Sequence, residues 1–202
     1  MSTPKATYHH GDLRAALLRA AMELLEESGA SALSLRAVAR CAGVSPAAPY
    51  RHYADREALV SAVAAVGYRE LAERLAAAHP APSTPEELAR VAVAYVQFAL
   101  ERPALFRIMF GEPCDADDEE RRAATAAVSH YVRAIVERTF PQADAEALAT
   151  AIWALVHGLA FLHLDGKLDA STPSVVAGRV TAAIRALLST TSVGTAFPIA
   201  RA

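Results

Sequence analysis

The chain has 202 residues and a mass of 21.4 kDa, enough for one large domain or two small ones. Hydrophobic residues make up 53% and charged ones 21%, so it can bury a sizeable core, while 9 glycines and 11 prolines exclude a fibrous or linker-rich protein. A formal net charge of -2 excludes a globally basic nucleic-acid coat but not a local basic patch, and alanine, about a quarter of the residues, favours an all-α fold.

The predicted elements follow in chain order. Asp12 is a good N-cap, and Leu13, Leu17, Ala20, Ala21, Leu24 and Leu25 then recur on one face of a first helix that Gly29 ends. Ser34 caps a short second helix ending near Ala42. Gly43 makes the turn, and Ser45-Pro46 opens a third helix that is over by Ala54. Asp55 caps a long fourth helix, to about Ala78, with Leu59, Val63, Val66 and Leu71 on its buried face. His79 to Pro85 holds three prolines in seven residues and is the clearest break in the chain. Thr84-Pro85-Glu86-Glu87 reads as a capping box for the fifth helix, which carries Val91, Val93, Tyr95, Val96, Phe98 and Leu100. Pro103 starts a short aromatic helix over Leu105 to Phe110, and Gly111 to Asp118 is an acidic loop. A helix from about Glu119 to Thr139 follows. Asp144 opens an apolar helix closed around Gly166, and Thr172-Pro173 opens a last helix to about Leu188. The sum is about nine helices and no strand.

Several classes are excluded at this stage. The uncharged run Leu148 to Leu164 is shorter than the roughly 20 residues of a membrane span and lacks flanking basic clusters, so it reads as a buried core helix. Met1 to Gly11 carries no apolar signal core, and two cysteines, Cys41 and Cys114, cannot build a disulfide framework. Cys41 reads as a small core residue and Cys114 as a loop thiol. A soluble, cytoplasmic, reduced protein with no membrane partner is expected. No phosphate-binding glycine loop, no His-Glu-x-x-His and no nucleophile elbow is present, so no enzyme and no cofactor are expected. His157 and His163 are six residues apart, off a common helical face, so no paired metal site is expected either.

The informative segment runs from Ser34 to Tyr53, SLRAVARCAGVSPAAPYRHY. Two short helices crossing steeply need a small residue where they touch, supplied by Ala39, and a turn residue tolerant of positive φ, supplied by Gly43. Val38, Ala42 and Val44 are the apolar positions that lock the pair. The pattern fits a helix-turn-helix whose second helix enters the DNA major groove, and it also fits an ordinary helical hairpin.

The stretch from Tyr8 to Leu71 resembles the DNA-binding domain of TetR/AcrR-family transcriptional regulators. The residues carrying the resemblance are Ala42-Gly43-Val44-Ser45, Tyr50-Arg51-His52-Tyr53 and Arg56-Glu57-Ala58-Leu59-Val60. Trp153, His157 and Gly158 resemble the Trp-x-x-x-His-Gly signature of one C-terminal subgroup. Tyr53 stands where the family usually has Phe, Arg56 where it has Lys, and Pro49 where it has an apolar residue such as Leu. Pro49 removes one backbone donor and restrains Ala48, so the recognition helix is expected to start late or to be partly 3₁₀.

The resemblance implies a helix-turn-helix domain at 11–71, with the motif at 34–53, and an effector-binding and dimerisation domain at 84–190. It implies Arg36, Ser45, Ala47, Ala48, Tyr50, Arg51, His52 and Arg56 as DNA-facing residues. Arg36 reads as a contact to guanine, a contact to phosphate or a solvated charge. Tyr50 reads as a phosphate donor or a half-buried core ring, and Arg51, His52 and Arg56 as phosphate partners. Lys5, His9 and His10 form either a basic arm or a loose leader. Residues 1–70 carry eight Lys/Arg against seven Asp/Glu and the remainder twelve against fifteen, the sign expected of a DNA-binding head on an acidic body.

Tyr95, Phe98, Phe106, Trp153, His157 and Phe161 are core rings first and candidates to line an effector cavity second, with His157 as polar anchor. The function expected is a homodimeric regulator, in this family usually a repressor, on a palindromic double-stranded DNA operator. A small hydrophobic molecule releases it; the alternative is a dimeric regulator with no effector.

Overall fold

The structure, a computed structural model, describes residues 13–112, 115 and 117–192. The Asp12 cap, the Lys5, His9 and His10 arm and Cys114 lie outside the described residues. Those residues form eight α-helices and no strand: α1 (Leu13–Ser28), α2 (Leu35–Cys41), α3 (Arg56–Ala78), α4 (Pro85–Glu101), α5 (Pro103–Gly111), α6 (Glu119–Thr139), α7 (Ala145–Leu164) and α8 (Pro173–Ser192). Two 3₁₀ turns, Ala30–Ala32 and Pro49–Arg51, complete the set. The expected third helix is the second of these turns. Arg51 N–H bonds Ala48 O at 3.3 Å and His52 N–H bonds Pro49 O at 2.9 Å, while Pro49 itself has no N–H to give.

The helix starts follow from local chemistry. Ser34 Oγ accepts from Ala37 N at 3.2 Å and Asp55 Oδ1 accepts from Ala58 N at 2.9 Å. Thr84 and Glu87 form a reciprocal capping box with Pro85 in the first turn. Asp144 accepts from Glu146 N and Ala147 N.

Contacts divide the chain into two compact units. One comprises the residues up to Gly67 together with Ala104–Ala123, and the other comprises Tyr68–Pro103 together with Ala124 onward. The division therefore falls inside α3, and α5 belongs with the first helices. The proline-rich stretch is not a loose linker, because Tyr131 on α6 donates to the carbonyls of Leu75 and His79 at 3.1 and 2.5 Å, tying its start down.

In the first unit, Leu17, Ala20, Ala21 and Leu25 of α1 are buried with Val38 and Ala39 of α2. α3 is buried on every side from Leu59 to Ala65. Gly67 allows α5 to approach: a Cβ there would lie 2.6 Å from Met109 Sδ and 3.1 Å from Leu105 Cδ1. In the second unit α4 packs on α7 and α8. α7 buries one stripe at helical spacing, Leu148, Ile152, Val156, Leu159, Ala160 and His163. By length and composition alone α7 could also cross a membrane, and it is the one such helix among the described residues.

Candidate nucleic-acid interface

The turn between α2 and the recognition segment follows from one glycine. Gly43 adopts φ +66°, its N–H bonds Arg40 O at 3.2 Å, and Val44 N–H bonds Ala39 O at 3.0 Å. This double closure is the Schellman arrangement, and a Cβ at position 43 would strain it. Ala39, 1% exposed, is the small contact residue expected of it, and Val38 is fully buried.

Beyond the turn the chain makes one bend, with Ala48 N–H on Ser45 O at 3.0 Å, and then the Pro49–Arg51 3₁₀ turn. Ala48 keeps helical angles (φ -61°, ψ -42°) in spite of the following proline. The ring of Pro49 is buried, so it fills the place of the usual apolar side chain. The Tyr50 to Tyr53 block consequently splits between two environments. Tyr50, 53% exposed, stands outward with Arg51 and His52, whereas Tyr53 is 3% exposed and its hydroxyl has no hydrogen-bond partner. Burial, opposed by nearby Arg14, raises the Tyr53 phenol above its ordinary pKa and keeps it neutral.

Arg36, Ser45, Ala47, Tyr50, Arg51 and His52 are all exposed, and Ala48 is half-buried. Arg36 lines an open concavity of about 730 Å³ with Arg40, Val44 and Pro46. Arg40 escaped the sequence reading, although its spacing of four residues from Arg36 puts both on one helical face.

Arg56 is placed differently from the expectation of a phosphate partner. Its guanidinium donates to Leu33 O (Nε, 3.1 Å) and to Ala30 O and Glu112 Oε2 (Nη2, both 3.1 Å). It thus ties the start of α3 to the turn before α2 and to the segment after α5. Two further contacts hold that segment: Asp115 N–H on Ser61 Oγ at 2.8 Å, and Glu120 paired with Arg14 at 2.5 Å. Cys41 also departs from expectation. It is exposed, not core, with Sγ 3.7 Å from Glu23 Oε2, and desolvation followed by Glu23 raises its pKa, keeping it a thiol.

The expected effector residues fall into two groups. Tyr95 Oη and His157 Nδ1 are 3.0 Å apart in the second unit. The His157 ring lies 5.8 Å from Trp153 and 4.9 Å from Phe161, centroid to centroid. Phe98, on α4 with Tyr95, is buried. Trp153 is 49% exposed. Phe106 lies in the first unit, fully buried, with its ring 4.8 Å from Phe110.

Burial raises the pKa of Tyr95 and lowers that of His157, so the pair is neutral near pH 7. A histidine whose folded pKa is depressed contributes stability above its unfolded value near 6.5, lost as pH falls through that value toward the folded one. Chemical unfolding at a series of pH values should therefore show stability declining from about pH 7 to pH 5, and His157→Gln should flatten that decline. An unchanged pH profile in the variant contradicts this. Among the described residues no group of three or more His, Cys, Asp or Glu side chains could hold a metal ion.

This geometry, an exposed polar row on a helix-turn-helix with a separate helical body, defines a DNA-binding regulator. Comparison with known proteins agrees. A model for bacterial regulatory proteins of the tetR family matches residues 17–63, and one for the tetracyclin repressor-like C-terminal domain matches residues 88–188. The HTH-type transcriptional regulator BetI of Rhizobium meliloti (strain 1021) is 30% identical over 152 residues, covering 72% of this chain and 75% of that protein. A protein of unknown function from Rhodococcus sp. RHA1 has a structure with TM-score 0.75 and 35% identity, covering 90% of this chain and 98% of the other. PfmR of Thermus thermophilus, a TetR family transcriptional regulator, shares the fold at TM-score 0.62 and 20% identity, over 93% of this chain and 97% of its own. The chain belongs to the TetR family of DNA-binding transcriptional regulators.

Proposed function

We propose that this protein is a cytoplasmic homodimeric repressor that binds a palindromic operator through a head at 11–71 and is released by a small hydrophobic effector held in a body at 84–190. The observation that carries the reading is the outward row Arg36, Ser45, Ala47, Tyr50, Arg51 and His52, with Ala48 half-buried beside it, on a helix-turn-helix whose opposite side is core. Tyr50 and His52 donate to phosphate oxygens, Arg51 adds charge, and Arg36 reads a guanine edge. Phosphate contacts act on every sequence alike, so Tyr50→Phe should weaken operator and random DNA equally. Arg36→Ala should cost roughly 1–3 kcal/mol on the operator only. Binding isotherms on both DNAs decide: an equal loss on both for Arg36→Ala removes its reading role.

The effector half rests on the Tyr95, Trp153, His157 and Phe161 cluster, with Phe98 beside it on α4. An apolar molecule seated there gains about 25 cal/mol per Å² of apolar area removed from water. It releases DNA only by binding the released conformation more tightly, by several kcal/mol for a full switch. Trp153 is the chain's single tryptophan, so its emission reports on this cluster. Titration with the amphipathic anionic probe 1-anilinonaphthalene-8-sulfonate, whose aromatic rings seek apolar sites, should change that emission saturably, and Tyr95→Ala should abolish the change. An identical response in the variant places the probe elsewhere.

A further inference from the structure

We propose that Arg40 is a second sequence-reading residue, pairing with a guanine edge beside the one read by Arg36. The inference rests on the DNA-binding reading of the head and extends it. The recognition segment itself has little to read with. Pro46, Ala47 and Ala48 offer no side-chain donor or acceptor, and with Val44 they suit apolar contact with thymine methyl groups. Ser45 is the one hydrogen-bonding side chain between Val44 and Pro49. Within this stretch base discrimination by hydrogen bonds rests on Ser45 alone, which leaves room for a neighbouring element to add to it.

Arg36 and Arg40 supply it from α2. Both are exposed, both line the concavity that Val44 and Pro46 complete, and neither guanidinium has a hydrogen bond or ion pair among the described residues. Two other arginines of the same unit, Arg14 and Arg56, are bonded to carboxylates. The shared concavity puts both guanidinium groups beside Val44 and Pro46, at the entry to the recognition segment. Arginine matches O6 and N7 of guanine bidentately, which lysine cannot do with the same geometry.

The test is selection of random double-stranded DNA by the full-length protein and by Arg36→Ala, Arg40→Ala and Arg40→Lys, each first shown to melt like the wild type. The wild-type pool should carry two fixed guanines per half-site. Arg40→Ala and Arg40→Lys should each lose one guanine and keep the other, while Arg36→Ala loses the complementary position. Affinity of Arg40→Lys for the wild-type consensus should fall roughly 5- to 150-fold, with affinity for scrambled DNA unchanged. An unchanged pool for the Arg40 variants overturns the proposal, as does a wild-type pool and affinity in Arg40→Lys, which marks a phosphate contact. If the wild type enriches no sequence, the operator-binding reading fails with it.

Discussion

Replacing Ala154 by arginine is expected to leave a folded protein that no longer dimerises and no longer holds its operator. α7 is apolar nearly all round, and its own unit fully buries only the stripe from Leu148 to His163. A second arc carries Trp153, His157 and Phe161. The third, at the same helical spacing, is Ala147, Ala151, Ala154, Gly158 and Leu162; Leu162 is 43% exposed, and Val175 on α8 is 37% exposed. Small residues let a second helix come close, so this stripe with α8 suits a two-fold four-helix contact. Ala154 is exposed in the single chain, which therefore tolerates a long side chain there. Across a two-fold interface the charge is buried twice, at several kcal/mol each. Light scattering at micromolar concentration should report a monomer, and circular dichroism an intact fold. A variant that remains dimeric places the interface elsewhere.

Arg56→Ala is expected to lower stability by about 2–4 kcal/mol, because the carbonyls of Ala30 and Leu33 and the Glu112 carboxylate lose a charged donor in a half-buried site. For a chain of this size that lowers Tm by roughly 5–15 °C. Arg56→Lys should recover part of the loss, since an ammonium can pair with Glu112 but cannot fork to both carbonyls. Measured below the melting range, the salt dependence of DNA binding should not change. A shallower salt dependence with unaltered stability would return Arg56 to the phosphate contacts.

The contrast between these two residues shows which parts of the molecule were legible in the sequence. The caps at Ser34, Asp55, Thr84 and Asp144 were legible because each bond spans two or three residues of chain. The nearly all-round apolarity of α7 and the Gly43 turn were legible for the same local reason. Arg56 was not, because its partners lie 23, 26 and 56 residues away in the chain. Ser61 and Asp115, 54 residues apart, hold the segment after α5 to α3 with no motif to announce them. Phe106 shares its aromatic character with the body rings, but α5 packs with the first unit, where Gly67 admits Met109 and Leu105. The split of the Tyr50 to Tyr53 block was hidden by Pro49. Its ring takes a buried place in a tightened 3₁₀ turn, leaving Tyr50 outside and Tyr53 inside.

The central claim, sequence-specific DNA binding by a dimer, is tested most directly by a mobility shift with the DNA upstream of this protein's own gene and its neighbours. Unrelated DNA of equal length is the control, across about 50–200 mM salt. The account predicts a complex of two protomers per upstream duplex that persists at salt concentrations where the control is released. Equal affinity for both DNAs at every salt concentration would contradict it.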